Sequence, residues 1–161
     1  MCARRQSPET LSPHFPGDPD ASDPLVGARL RRALTYVEER IRDAIGAAGY
    51  DDITVAHFKV LRFPPPENER PMDLAQRAGM TKQAMNYLLA QLEDLGYLQR
   101  TAAEGRASRR VTLTDKGWAV ARIQRATVRR IEQEWRQRIG TEAFLVFYDV
   151  LKALTPASPE R

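Results

Sequence analysis

The feature that most constrains the fold is a change in the spacing of apolar residues after Gly96. Up to Gly96 the apolar residues recur at intervals of three and four, which predicts amphipathic helices. Residues 97–101 and 109–113 then have strand-like composition and flank a loop that contains a glycine, which predicts a β-hairpin. The helical spacing returns after Thr114. The chain is therefore predicted to be mostly α-helical with one small β-hairpin.

Capping and breaking residues give the order of the helices as four before the hairpin and two after it. Gly46 and Gly49 end the first helix, and Asp52 or Thr54 caps the second. Pro71 suits the first turn of a short third helix. The remaining starts and stops are a cap at Thr81, a left-handed Gly96, a cap at Thr114-Asp115 and a break at Gly140.

The two ends of the chain differ in composition from the middle. Residues 1–24 hold five of the eleven prolines and too few apolar residues to offset the entropy cost of ordering. We expect residues 1–24 and 155–161 to be disordered tails around a single domain, residues 25–154. The one cysteine, Cys2, lies in the first tail, which leaves no pair for a disulfide. Since no apolar run reaches about 18 residues, a cytoplasmic location is expected.

The charge of the middle region favours an anionic partner. Residues 25–154 carry 22 lysines and arginines against 16 aspartates and glutamates, a net charge of +6 compared with +4 for the whole chain. Such an excess attracts nucleic acid. However, 18 of the 22 cations are arginines in an alanine-rich chain, which a GC-rich genome alone would produce. Charge by itself leaves the nature of the partner open.

An enzyme is the function class that the sequence argues against. The chain has two histidines, His14 and His57, and it lacks a metal-ligand cluster, a phosphate-binding glycine loop and a serine or cysteine nucleophile motif. Each of these patterns would be needed for a common kind of catalytic site. We therefore expect no catalytic residues, no metal and no cofactor.

The stretch before the hairpin has the organisation of a helix-turn-helix, with helices over residues 73–78 and 81–95 joined by a glycine turn. Glutamine and asparagine can bond adenine and lysine can bond guanine, so the polar start of the second helix is a base-reading candidate. An ordinary solvated face is the alternative. The candidate DNA-binding residues are Thr81, Lys82, Gln83, Asn86 and Tyr87 on this helix, with Arg106, Arg109 and Arg110 on the hairpin.

Two segments around the hairpin resemble the MarR family of bacterial transcription regulators. They are Leu92-Glu93-Asp94-Leu95-Gly96-Tyr97-Leu98, at the end of the recognition helix, and Leu113-Thr114-Asp115-Lys116-Gly117, after the hairpin. The resemblance covers residues 25–154. It implies a winged helix-turn-helix lobe, residues 53–113, and a homodimer formed through the helices of residues 25–46 and 114–154, which binds a pseudo-palindromic operator.

The hairpin departs from the family at one point. The family wing usually carries an Asp-x-Arg pair, and counting back from Leu113 the aligned positions are Gly105 and Ala107. A shift by one residue gives Glu104 and Arg106 instead. Arg106 takes the family role of a minor-groove or phosphate contact only if the hairpin loop is one residue longer.

The resemblance also implies a small aromatic or apolar effector that binds near Tyr36, His57 and Trp118. Packing in the core is the alternative for each of these side chains. We therefore predict a sequence-specific DNA-binding regulator, most simply a repressor, that acts as a homodimer. The alternative function is a non-specific or architectural DNA-binding protein without a ligand switch, which would show no sequence preference at any salt concentration.

Overall fold

The computed structural model describes residues 25–62, 65–102 and 109–154. These ranges hold six helices and three strands, and two compact units divide the chain after Thr35, inside the first helix. The predicted class, mostly helical with a small antiparallel sheet, is confirmed. The predicted tails, Cys2 and the loop with Arg106 lie outside the described residues. The elements are α1 (Val26–Ala47), α2 (Val55–Leu61), β1 (Glu67–Glu69), α3 (Pro71–Arg77), α4 (Lys82–Asp94), β2 (Leu98–Ala102), β3 (Arg109–Leu113), α5 (Asp115–Ile139) and α6 (Thr141–Leu154).

The helix boundaries follow the capping residues read from the sequence. Thr54 is the N-cap of α2, which decides between the two caps predicted there, because Asp52 is engaged elsewhere. Thr81 caps α4, and Thr114 caps α5. Gly96 has a φ of 77°, a left-handed conformation that glycine adopts without a Cβ clash. The chain can therefore turn directly from α4 into β2.

The sheet contains one strand more than the predicted hairpin. Its order is β1-β3-β2, with both neighbouring pairs antiparallel. The strand β1 pairs Glu67 with Thr112 and Glu69 with Val111, and its register shifts at Asn68, which has a φ of 59°. Three polar residues around a bulge carry no alternating pattern, so nothing in the sequence marked them as a strand.

The core of residues 36–161 determines which face of α4 is exposed. Met85, Leu89 and Leu92 are completely buried, and Leu88 is nearly so. They pack with side chains from other elements because this apolar stripe runs along one side of α4. The polar residues on the opposite side of α4 therefore face solvent. The other buried members of the cluster include Ile41, Ile45, Phe58, Leu61, Leu74, Tyr97, Leu98, Val111 and Val120.

Two stretches, considered separately, leave large apolar side chains exposed. In α6 only Phe144 is buried, and six large apolar side chains are exposed, with exposed fractions from 37% for Phe147 to 75% for Leu154. At the start of the described chain, Leu25, Val26, Leu30 and Leu34 are exposed. Such stretches are typical of surfaces that another molecule covers. None of the helices among the described residues is long and apolar enough to cross a membrane.

Candidate nucleic-acid interface

The helix-turn-helix predicted from the glycine turn is present as α3, a four-residue connection and α4. Gly79 adopts a left-handed φ of 61°, and the N–H of Met80 donates to the carbonyl of Ala75 at 2.9 Å. The Thr81 hydroxyl then accepts from the N–H of Ala84 at 3.2 Å. This cap satisfies one of the unpaired donors at the start of α4. The first turn of α4 is thereby fixed while its side chains face outward.

The polar face at the start of α4 is exposed as the base-reading hypothesis requires. Lys82 and Gln83 are exposed, and Asn86, one turn further, is half-buried. Tyr87 exposes 65% of its surface, which is a large fraction for an aromatic side chain. These residues offer a cation, two amides and a phenol along the first two turns. Such groups can donate to phosphate oxygens or to acceptors on base edges.

Two of the predicted DNA-binding arginines lie on β3 and differ in their surroundings. Arg109 is exposed at the start of β3. Arg110 is half-buried, and its Nη1 donates to the carbonyl of Asn68 at 3.0 Å. This bond ties β3 to the bulge of β1. Arg109 is therefore the better placed of the two for a phosphate, and Arg110 has a structural task as well.

A buried ion pair connects β1 with α3. Arg77 donates from Nη1 to the carboxylate of Glu69 at 2.9 Å, and the Glu69 side chain is only 7% exposed. The carbonyl of Arg77 accepts from Arg62 Nη2, also at 2.9 Å. Sequence reasoning missed this pair because β1 itself was not predicted. The pair fixes the edge of the sheet against the first helix of the helix-turn-helix.

Glu93 connects the end of α4 with β2. Its carboxylate accepts from the backbone N–H of Arg100 at 3.0 Å and from Arg100 Nε at 2.7 Å. The hydrogen bond from the Arg100 side chain holds the pKa of Glu93 below its ordinary value. Glu93 belongs to the motif that carried the family resemblance. Its contacts show a structural role, because they fix the angle between α4 and the hairpin.

The other motif, Leu113 to Gly117, interlocks with the residues that follow α4. The Thr114 hydroxyl donates to the carbonyl of Gly96 at 2.7 Å and accepts from the N–H of Gly117 at 3.2 Å. A Cβ at position 117 would lie 2.0 Å from the carbonyl oxygen of Tyr97. Only glycine allows this approach of α5 to the chain. The two motifs are therefore the two halves of one joint.

A polar cluster around Tyr97 completes that joint. The Tyr97 hydroxyl donates to the carboxylate of Asp52, which also accepts from Lys116 Nζ at 3.1 Å. Lys116 donates to the carbonyl of Leu95 at 2.9 Å, and its Nζ lies 4.0 Å from the centre of the Tyr97 ring. The Tyr97 hydrogen bond, followed by Lys116, lowers the pKa of Asp52, whereas burial first and Asp52 second raise the pKa of Tyr97.

The three residues predicted to bind an effector have separate sets of partners. Tyr36 is exposed and accepts from Arg40, which also forms a two-bond ion pair with Glu134 at 2.9 Å. His57 is buried and lies within hydrogen-bonding distance of Thr54 and Gln91. Trp118 is half-buried against the core. The contacts of His57 and Trp118 agree with core packing, the alternative weighed above.

Sequence reasoning missed Gln124, a buried amide on α5. Its Nε2 lies 3.5 Å from the carbonyl of Phe58, the neighbour of His57 on α2. Among the described residues, no donor lies within hydrogen-bonding distance of its Oε1. A buried acceptor without a donor is costly.

Within the described ranges, no group of three or more histidine, cysteine, aspartate or glutamate residues could hold a metal ion.

Comparison with known proteins gives consistent matches over most of the chain. The family model described as the MarR family matches residues 65–109. The HTH-type transcriptional repressor Rv2887 of Mycobacterium tuberculosis is 34% identical over 140 residues, which is 83% of this chain and 96% of that protein. The crystal structure of the M. tuberculosis MarR family protein Rv2887 with salicylic acid has a TM-score of 0.60 and 30% identity, and the match covers 84% of this chain and 99% of that one. The complex of Rv2887 with DNA has a TM-score of 0.59 and 27% identity and covers 83% and 100%.

Proposed function

This chain belongs to the MarR family of DNA-binding transcriptional regulators, and from that premise we propose that it represses transcription as a homodimer bound to a pseudo-palindromic operator. The observation that carries the proposal is the exposed polar start of α4, Lys82 and Gln83, on a helix that packs against β2, the partner strand of the cationic β3. In this proposal α4 enters the major groove and the wing contacts the phosphate backbone. The protein acts in the cytoplasm, where it meets DNA, and it has no catalytic activity of its own.

The proposed division of labour follows from side-chain chemistry. Gln83 and Asn86 read base edges, because amides can form two hydrogen bonds with adenine. Lys82 and Tyr87 add contacts within the groove, and Thr81 positions the helix start next to a phosphate. Arg109 binds a phosphate, with Arg106 and Arg110 adding positive charge to the wing. The half-buried position of Arg110 supports a smaller part for it than for Arg109.

The proposed dimer is supported by the exposed apolar side chains of α6. Five of them, Leu145, Val146, Tyr148, Val150 and Leu154, are between 48% and 75% exposed. A second copy that covers them would remove apolar surface from water, which stabilises the dimer by about 25 cal/mol for each Å² that is buried. Because each half of a palindromic site binds one subunit, dimerisation also sets the spacing of the two recognition helices.

We further propose that a small aromatic acid modulates DNA binding from a site near Tyr36, His57 and Trp118. The solved complexes of Rv2887 with salicylic acid and with p-aminosalicylic acid support this class of ligand. The unpartnered Oε1 of Gln124 adds a candidate acceptor for a ligand hydroxyl. To act as a switch, the ligand must bind the DNA-free form more tightly than the DNA-bound form.

Operator and random duplexes of equal length, titrated with and without salicylate, test the proposal. Selection of bound genomic fragments supplies the operator. Gln83→Ala and Asn86→Ala should each weaken the binding free energy for the operator by roughly 1 to 3 kcal/mol and change that for random DNA little. Arg109→Ala should weaken binding to both duplexes alike. It should also reduce the slope of log binding constant against log salt concentration by about 0.9. Salicylate should lower operator affinity and raise the melting temperature of the free protein.

Gln133→Ala, an exposed glutamine on α5, is the matched control and should leave both affinities unchanged. If both α4 variants fold and keep the wild-type ratio of operator to random affinity, the sequence-specific function is wrong. The non-specific binding function then replaces it. If salicylate changes neither affinity nor melting temperature, the effector part fails while the DNA-binding part stands.

A further inference from the structure

A chain of hydrogen bonds leads from the buried side of α2 to the exposed face of α4. The backbone N–H of Thr54 donates to His57 Nδ1 at 3.2 Å, and His57 Nε2 lies 3.2 Å from Gln91 Oε1. Gln91 Nε2 donates to the Tyr87 hydroxyl, also at 3.2 Å. Exposure rises along the chain, from a buried His57 through a half-buried Gln91 to a Tyr87 that is 65% exposed.

The direction of every bond in this chain is set by its first donor. A backbone N–H can only donate, so Nδ1 of His57 must accept and the neutral ring carries its proton on Nε2. That proton is donated to the carbonyl oxygen of Gln91, which orients the amide so that its NH₂ group faces Tyr87. The Thr54 hydroxyl, 3.3 Å from Nδ1, can donate to the same nitrogen and reinforces this arrangement.

The consequence falls on the Tyr87 hydroxyl. Because its oxygen already accepts from Gln91, its own proton is available to donate to a group outside the protein. Tyr87 lies one turn beyond Gln83 on α4, so that group is on DNA if the proposed function holds. A phosphate oxygen and an acceptor on a base edge share the required chemistry.

We propose that His57 and Gln91 are positioning residues that hold Tyr87 as a hydrogen-bond donor to an acceptor on DNA. This inference rests on the proposed function, since it uses α4 as the recognition helix. It gives His57 a task other than ligand binding or apolar packing. It also explains why a half-buried glutamine and a buried histidine face one another between α2 and α4.

A double-mutant cycle on DNA affinity tests the proposal. Tyr87→Phe removes only the hydroxyl, and Gln91→Met keeps the length of the side chain but removes its donor and acceptor. Each should weaken binding by roughly 2- to 10-fold, the range for one hydrogen bond. In the Tyr87→Phe background, Gln91→Met should cause no further loss, because its partner is already gone. A purely structural role for Gln91 would give independent losses.

Gln133→Met, the same change at an exposed position of α5, is the control and should leave affinity unchanged. Thermal melts of all variants establish that they fold. A loss restricted to the operator identifies a base acceptor, whereas an equal loss on operator and random duplexes identifies a phosphate. Both results support the proposed chain of hydrogen bonds from His57 through Gln91 to Tyr87.

The proposal is overturned if Tyr87→Phe binds both duplexes as the wild type does, or if the two losses add. These results differ from a failure of the proposed function, in which the unmodified protein itself would not distinguish operator from random DNA. If the proposed function fails in this way, an equal loss of affinity with Tyr87→Phe on both duplexes would still support a hydrogen-bond chain that directs Tyr87 to a phosphate.

Discussion

The two ends of α4 are held in opposite ways. At the start of the helix one side-chain cap from Thr81 is present, and Lys82 and Gln83 are exposed. Its C-terminal end is surrounded by partners, with Glu93 bound by Arg100 and the carbonyls of Leu95 and Gly96 bound by Lys116 and Thr114. The exposed end is suited to reading DNA, and the enclosed end is suited to holding the wing at a fixed angle.

Because of this difference, substitutions in α4 should affect either the free energy of unfolding or the preference for operator DNA, depending on the end at which they are made. Changes at the enclosed end should lower the free energy of unfolding and leave the preference for operator over random DNA unchanged in the protein that remains folded. Changes to the exposed side chains at the start of α4, Lys82 and Gln83, should lower this preference and leave the free energy of unfolding unchanged. The predictions below test this separation, beginning with the largest effect.

Gly117→Ala should produce the largest loss of stability. The new Cβ would lie 2.0 Å from the backbone carbonyl oxygen of Tyr97 and 3.2 Å from the Leu113 Cβ. Because the Tyr97 carbonyl belongs to the backbone, it can move away only if α5 shifts against the hairpin. Overpacking typically costs about 1 to 3 kcal/mol and occasionally more. A backbone clash as close as 2.0 Å belongs at the upper end of that range, so the cost outweighs the gain of about 1 kcal/mol from replacing a helical glycine. Urea denaturation measures the net change.

Gly27→Ala is the matched control, because a Cβ at Gly27 in α1 meets nothing within 4 Å. The same chemical change should there stabilise the protein by roughly 0.5 to 1 kcal/mol. If both variants gain stability, the joint between α5 and Tyr97 is not tight and the contrast between the two ends of α4 is lost.

The exposed end has its own structural bond, which Thr81→Ala removes. Loss of an N-cap costs typically about 1 kcal/mol, less than the expected effect at Gly117. Thr81→Ser retains the hydroxyl that accepts from Ala84 and should keep the wild-type melting temperature. Both variants should be measured on DNA after correction for folding. If Thr81→Ala changes operator preference and Thr81→Ser does not, the cap also orients the base-reading residues.

The sequence predicted the elements whose signals are local. Caps at Thr54, Thr81 and Thr114, the left-handed Gly96 and the helix stripes all depend on neighbours within one or two turns. The helix-turn-helix and the exposed residues at the start of α4 followed from these signals. A strand as short as β1 gave no such signal, because its partner β3 lies more than 40 positions away in the chain.

Contacts between distant residues were the part that the sequence could not supply. Asp52 was a reasonable cap by its position, but the buried Tyr97 hydroxyl, 45 positions away, binds it instead. The same limit applies to His57, whose partner Gln91 is 34 positions away. Residue type at a helical position indicates burial, whereas the identity of a polar partner depends on how the helices pack.

Glu93→Gln should give the smallest effect and a pH dependence of known sign. Its hydrogen bonds to Arg100 lower the folded-state pKa of Glu93 from an ordinary 4.5. The resulting stabilisation is complete above the ordinary pKa and is lost as the pH falls through the lowered one. Since the Glu93 and Arg100 side chains are 32% and 18% exposed, solvent screening limits the neutral-pH loss to about 1 kcal/mol or less.

Urea denaturation at about pH 7 and at about pH 3 measures this loss, and the gap between wild type and Glu93→Gln should narrow at the lower pH. Asp94→Asn, at the next and exposed position of α4, reports the effect of removing a carboxylate that has no bond to Arg100 among the described contacts. A gap that stays constant with pH would show that the Arg100 bond does not stabilise the fold. A change in operator preference with Glu93→Gln would break the separation between the two ends of α4, because the enclosed end would then also set the geometry of base reading.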